Sequence, residues 1–180
     1  MKNPGSKRAW QILALVVVIA VLAEKGVMWW NYSHRSRSNR NPVAPVSVNA
    51  PIEVRMHQIA MVAIATIEPN ARRPFDFSPG SLVKVDEILD QLPQMVSATN
   101  RDEELSYACL AWGAYVGEVI RHQHPTGTWS EATDEKGYGI YPLQIGPLIV
   151  YPCQWVVERV EKGPTASVSK RYEEFVQQRQ

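Results

Sequence analysis

Between Leu105 and Ile120 the chain runs sixteen residues with a single formally charged side chain, Glu118. Leu105, Cys109, Trp112, Val116 and Val119 recur at helical spacing, and Ala108, Tyr115 and Ile120 widen the stripe. The opposite side is hardly more polar, because Leu110, Ala111, Gly113, Ala114 and Gly117 occupy it. A helix that is apolar nearly all round belongs in the middle of a fold, covered on several sides. Asn100 followed by Glu103 gives it a start resembling a capping box. Gly113 and Gly117, four residues apart, allow another backbone to come close. An isolated buried carboxylate is costly, so Glu118 must be paired, hydrogen-bonded or protonated.

The elements around this helix set the fold class. Ile52, Met56, Ile59, Met61, Val62 and Ile64 form a broad apolar face over residues 52 to 67, followed by a loop around Pro69 to Pro74. A second helix is expected from Ser78 as N-cap with Pro79 at the first helical position. It carries Leu82, Val85, Ile88, Leu89 and Leu92 and ends at Pro93. After His124 and Pro125 the pattern turns to strands: Thr128 to Thr133, Tyr138 to Ile145 and Leu148 to Tyr151. Turns at 134–137 and at Gly146-Pro147 make these a three-stranded antiparallel meander, with Pro142 marking an edge or a bulge. Pro152 opens a helix through Lys162, and Gly163 with Pro164 stops it. A last amphipathic helix carries Val168, Tyr172, Phe175 and Val176. The expectation is one α+β domain over residues 51–180, with about five helices around a small meander.

The N-terminal part reads differently. Ile12 to Ala23 is an unbroken apolar run, and Trp10 to Trp30 covers 21 residues, about 30 Å as a helix and so the thickness of a bilayer core. Trp10 at one end and Trp29, Trp30 and Tyr32 at the other sit where interfacial aromatic belts belong. Glu24 and Lys25 lie near one end, within reach of headgroups. Residues 1–32 thus read as a single transmembrane helix, or as a signal peptide cut before Glu24. Residues 33–50, rich in Pro, Ser and Arg, read as a linker. Through residues 10–30 the expected partner is a lipid bilayer, with the domain on the extracytoplasmic, periplasmic side.

Composition removes several function classes. A formal net charge of +1 gives no field for nucleic acid, and no partner of that kind is expected. Cys109 and Cys153 have no CxxC or CxxH context, so no zinc site of that type is encoded, and whether they pair is open. No GxSxG, HExxH or phosphate-cradling glycine loop occurs. No cofactor is expected.

The run Leu110-Ala-Trp-Gly-Ala-Tyr-Val-Gly-Glu-Val-Ile-Arg121, then Trp129 with a short meander, then Pro152 and Val156-Val-Glu-Arg-Val-Glu-Lys-Gly163, resembles bacterial domains of unknown function. Those domains share a Gly-x-x-x-Gly-Glu helix, a Trp-starting hairpin and a Pro-led final helical region. The resemblance covers about residues 78 to 176 and implies the α+β layout, with no activity attached.

Three polar residues are candidates for a functional or buried polar role: Glu118, His122 and Arg159. Glu118 reads as a polar anchor, with Arg159 or the backbone amides of a neighbouring turn as its partner, or as a general acid or base. His122 lies one turn after Glu118, and with His124 the three could form a metal set; the alternative is a solvated helix end where His122 complements the dipole. Tyr138 and Tyr141 on the meander are candidates for a partner-binding patch. The functional expectation is a membrane-tethered, non-catalytic protein-interaction domain in an envelope or toxin-neutralising role. The alternative is a small metal-dependent or acid/base hydrolase centred on Glu118 and His122.

Overall fold

The computed structural model describes residues 46, 47, 49–67, 75–133 and 139–179. The expected membrane or signal segment, nearly all of the expected linker, the loop around Pro69 to Pro74, the 134–137 turn and Tyr138 lie outside the described residues. Among the described residues no helix is long and apolar enough to cross a membrane.

The described chain is α+β. Five α-helices, α1 (Ile52–Ala65), α2 (Ser81–Met95), α3 (Arg101–Gln123), α4 (Pro152–Lys162) and α5 (Val168–Gln177), surround a small antiparallel sheet. The strands are β1 (Thr128–Trp129), β2 (Ala132–Thr133), β3 (Gly139–Ile140), β4 (Leu143–Ile145) and β5 (Leu148–Val150). The main sheet has the order β1-β4-β5, and β2 pairs with β3 as an extension of the first hairpin. The expected long strands are therefore interrupted. Pro142 has no N–H for a ladder, and its carbonyl instead accepts from Ser130 N–H at 3.0 Å across the break.

Helix α3 is the axis of the fold. Every residue from Ala111 to Ile120 is buried, Glu118 included. Helix α1 lies along one side of it and α4 along another. The two glycines set how closely these neighbours approach. A Cβ on Gly113 would run into the Cys153 backbone at the start of α4, and one on Gly117 would overlap the Trp129 indole. The sheet presents Trp129, Leu143, Ile145 and Val150 to the helices, while Thr128, Gln144 and Ile149 line its other face.

Helix termini depart from expectation in three places. Asn100 makes no side-chain cap, and Glu104 instead reaches back to accept the Ser97 N–H at 2.7 Å. Residues 78–80 form a tight turn before α2, which starts at Ser81. Pro93 lies inside α2, which runs two residues further to Met95, so the proline does not end it. Gly163, at φ +68, ends α4 as expected, in a backbone conformation other residues adopt only at a cost.

The final helix is fixed by a long-range cap. The Asp86 carboxylate on α2 accepts Val168 N–H at 2.9 Å and Ser169 N–H at 3.1 Å, and both Ser167 and Ser169 hydroxyls at 2.8 Å. It therefore occupies the N-terminus of α5, where exposed amides and the helix dipole favour negative charge. Burial works against that charge, but the hydrogen bonds from Val168, Ser169 and Ser167 outweigh it and hold the carboxyl below its ordinary 3.8.

Candidate functional site

Glu118 is 3% exposed and fully engaged. Its Oε1 accepts from Arg121 Nη1 at 2.8 Å and from Trp129 Nε1 at 2.8 Å, and its Oε2 lies 3.2 Å from His57 Nδ1. Arg121 also donates from Nε to the Gly127 carbonyl at 3.2 Å. The lone acid of α3 thus ties together α1, α3 and the first strand. The expected partnership with Arg159 is not made. Arg159, also 3% exposed, donates to Asp86 Oδ1 at 3.0 Å and Asp90 Oδ1 at 2.6 Å on α2. These are two separate networks, one at each flank of α3, because Arg159 lies on the face of α4 that packs on α2.

His122 is exposed, and its Nδ1 lies 2.9 Å from the Glu118 carbonyl oxygen one turn back. Its ring stacks on Phe77 with centroids 5.0 Å apart and planes 1° apart. The other neighbours of Phe77 are Tyr115, stacked at 4.8 Å, and His57, at 5.6 Å. Phe77 carries φ +60, a left-handed conformation that is a genuine outlier for a bulky residue. It is held there by the two stacked rings and by its N–H, which donates to Tyr115 Oη at 3.1 Å. Tyr115 in turn donates to Ser81 Oγ at 2.7 Å, and Ser81 Oγ to the Ser78 carbonyl at 2.6 Å. Burial raises the Tyr115 hydroxyl above its ordinary value, so it stays a donor.

His124 does not join this group. Its ring stands edge-on to Phe175 at 5.8 Å, and its Nε2 is buried with no hydrogen-bond partner among the described residues. The proposed Glu118, His122 and His124 metal set is therefore not assembled: among the described residues no three His, Cys, Asp or Glu side chains gather around a common point. His57 is the participant that sequence reasoning missed. Its only signal is a lone histidine on a helix that also carries Glu53, Arg55 and Gln58, and the pairing spans 61 positions.

The meander supplies a second surface. Tyr141 is half-buried and packs against the core, and burial, with Glu131 and Cys153 nearby, raises its hydroxyl. Tyr138, its companion in the expected binding patch, lies outside the described residues. The exposed apolar groups lie further on: Ile149 is 53% exposed and Tyr151 38% exposed. Among the described residues strand β5 pairs with β4 alone, in the register Ile145 to Leu148, Gln144 to Ile149 and Leu143 to Val150. Gly146 and Pro147 close this hairpin, with Gly146 at φ +59 as a type II′ turn requires. In a two-residue hairpin the closing pair is hydrogen-bonded and pairs then alternate, so the Ile149 N–H and C=O point away from β4. Beside this edge is a shallow cleft of about 250 Å³ lined by Val150, Trp155, Phe175, Arg171, Glu174 and Gln178.

Comparison with protein-family models, with curated proteins and with solved structures finds no match for the chain in any of the three.

Proposed function

We propose that the protein is a non-catalytic interaction domain, tethered to a bacterial envelope membrane through residues 10–30 with the domain on the extracytoplasmic side. Its binding element is the free edge of β5, which takes an extended segment of a protein partner as an added strand. The single observation that carries this reading is the edge at Ile149, unpaired among the described residues, with exposed apolar side chains at Ile149 and Tyr151 and the cleft alongside. Exposed apolar edge strands invite pairing, and main-chain hydrogen bonds then supply affinity while alternate side chains supply selectivity. The tether rests on the apolar run and its flanking tryptophans, and the resemblance to bacterial domains of unknown function rests on its own residues. The hydrolase alternative loses its centre, because both Glu118 oxygens are engaged inside the core.

A photo-crosslinking residue placed at Tyr151 in intact cells tests the proposal, in the presence and absence of Ile149→Pro. Proline removes only the outward N–H of Ile149, so the hairpin keeps its own hydrogen bonds. The expected result is a discrete crosslinked product that disappears with Ile149→Pro. No product at all, or a product indifferent to the proline, would count against an edge-strand mode.

A further inference from the structure

The edge of β5 carries a hydrogen-bonding pattern that is its own complement. Leu148 and Val150 turn their N–H and C=O groups toward β4, so the Pro147 C=O, both Ile149 groups and the Tyr151 N–H point outward. The Tyr151 carbonyl is already engaged, accepting Trp155 N–H at 3.1 Å in the first turn of α4. Pro147 has no N–H. An antiparallel copy of the strand, turned about a two-fold axis beside Ile149, sets each Ile149 opposite itself and each Tyr151 opposite the other copy's Pro147. The two Ile149 residues then exchange N–H and C=O, and each Tyr151 N–H donates to a Pro147 carbonyl. Where Tyr151 has no carbonyl to offer, Pro147 has no N–H to satisfy. Every outward group of the three residues is matched.

We propose that the occupant of the β5 edge is the same edge of a second copy of this chain, in a symmetric pair centred on Ile149. The inference rests on the edge-strand reading above and names its partner. A residue on a two-fold axis meets its own copy, so a charge there would face its own sign. From Gly137 to Val157 no side chain is formally charged. The edge thus lacks the lysines and inward charges that keep natural edges apart. Pro147, Ile149 and Tyr151 are all exposed, and pairing covers them with one another. Ile149 packs beside Ile149 of the second copy, and Tyr151 lies against its Pro147. The two main sheets then run on as one, in the order β1-β4-β5-β5-β4-β1.

Sedimentation velocity of the full chain in detergent micelles tests the proposal, with Ile149→Lys, Ile149→Glu and an equimolar mixture of the two. The unaltered chain should sediment as a dimer and each variant alone as a monomer. The mixture should be dimeric again, because lysine then faces glutamate across the axis. Ile149 is 53% exposed, so both variants keep the fold, which matching circular dichroism spectra check. Ile149→Cys should also give a chain-to-chain disulfide with copper phenanthroline. Opposed residues of a hydrogen-bonded pair hold their Cα atoms about 5.5 Å apart, within the span of a disulfide. A monomeric unaltered chain, a dimer indifferent to either charge, or a mixture that stays monomeric would overturn the symmetric pair. If the Tyr151 crosslink to a different protein then persists and still responds to Ile149→Pro, only the second copy falls and the edge-strand reading stands. Loss of that crosslink as well removes both.

Discussion

The indole of Trp129 donates its N–H to Glu118 Oε1 at 2.8 Å through a space that exists only because residue 117 is glycine. Strand β1 contributes two residues, yet one of them enters α3 deeply enough to satisfy the only acid in that helix's interior. The carboxylate is thereby a fastening between helix and sheet. Hydrogen bonds to a charged acceptor in such a place contribute roughly 1.5–3 kcal/mol each.

Trp129→Phe removes the donor while keeping an aromatic ring. The expected loss is about 1.5–3 kcal/mol in urea unfolding. In a double-mutant cycle, Glu118→Gln combined with Trp129→Phe should cost less than the sum of the two single changes, because the groups touch. Strict additivity in that cycle would show the bond to be energetically idle.

Gly117→Ala opposes ordinary helix propensity, which favours alanine over glycine by about 1 kcal/mol. Here a new Cβ would meet the Trp129 ring, so the variant should be destabilised by about 1–3 kcal/mol or more. Adding Trp129→Ala should relieve the clash, and the alanine should then cost less than it does alone. The same denaturant curves decide it.

The Asp86 cap makes stability depend on acid. Its carboxyl is held below the ordinary 3.8 in the folded chain, so the folded state favours the charged form. The contribution is complete above the unfolded value, and it disappears as pH falls through the lower folded value. Unfolding free energy followed from pH 7 downward should show this loss below about pH 4, and Asp86→Asn should flatten that part of the profile. The asparagine variant should also unfold α5 preferentially, seen as faster amide exchange at Val168 and Ser169.

Both thiols should be sluggish. Burial pushes the Cys109 and Cys153 thiols up to about 12, with Glu161 adding to the first and Cys109 to the second. Thiolate is the reactive species, so disulfide-exchange reagents at neutral pH should label the native chain far more slowly than the urea-unfolded chain. Rapid labelling of native Cys153 would show that the start of α4 opens readily.

What could be read from the amino acids follows the range of the forces involved. The sixteen nearly uncharged residues of α3 announced a central helix because burial is written locally in hydrophobic pattern, and Ala111 to Ile120 are all enclosed. Pro152 and Gly163 marked both ends of α4 because backbone restrictions act at the residue that carries them. The polar pairings were not legible. Glu118 was identified as needing a partner, but His57 lies 61 positions away, and Asp86 reaches α5 across 82 positions. Nothing in the pattern distinguishes Asp86 from any other acid on the polar side of an amphipathic helix. The strands were located but drawn too long, since two-residue pairings leave little period-two signal on either side of Pro142. Tyr138 and Tyr141 drew attention as aromatics, whereas the unpaired edge arises from sheet order, a property of topology.

Arg55 donates to the Ala50 carbonyl at 3.2 Å and pairs with Glu131 at 2.5 Å, joining the entry of α1 to the segment after β1. A pull arriving from the N-terminal side therefore meets this clasp in the first turn of α1. Past the clasp, the load would run lengthwise along α1 and shear it against α3, where many side-chain contacts must yield together instead of peeling singly. Among the described elements, such tension would fall on α1 and α3, the pair of helices in the most extensive contact.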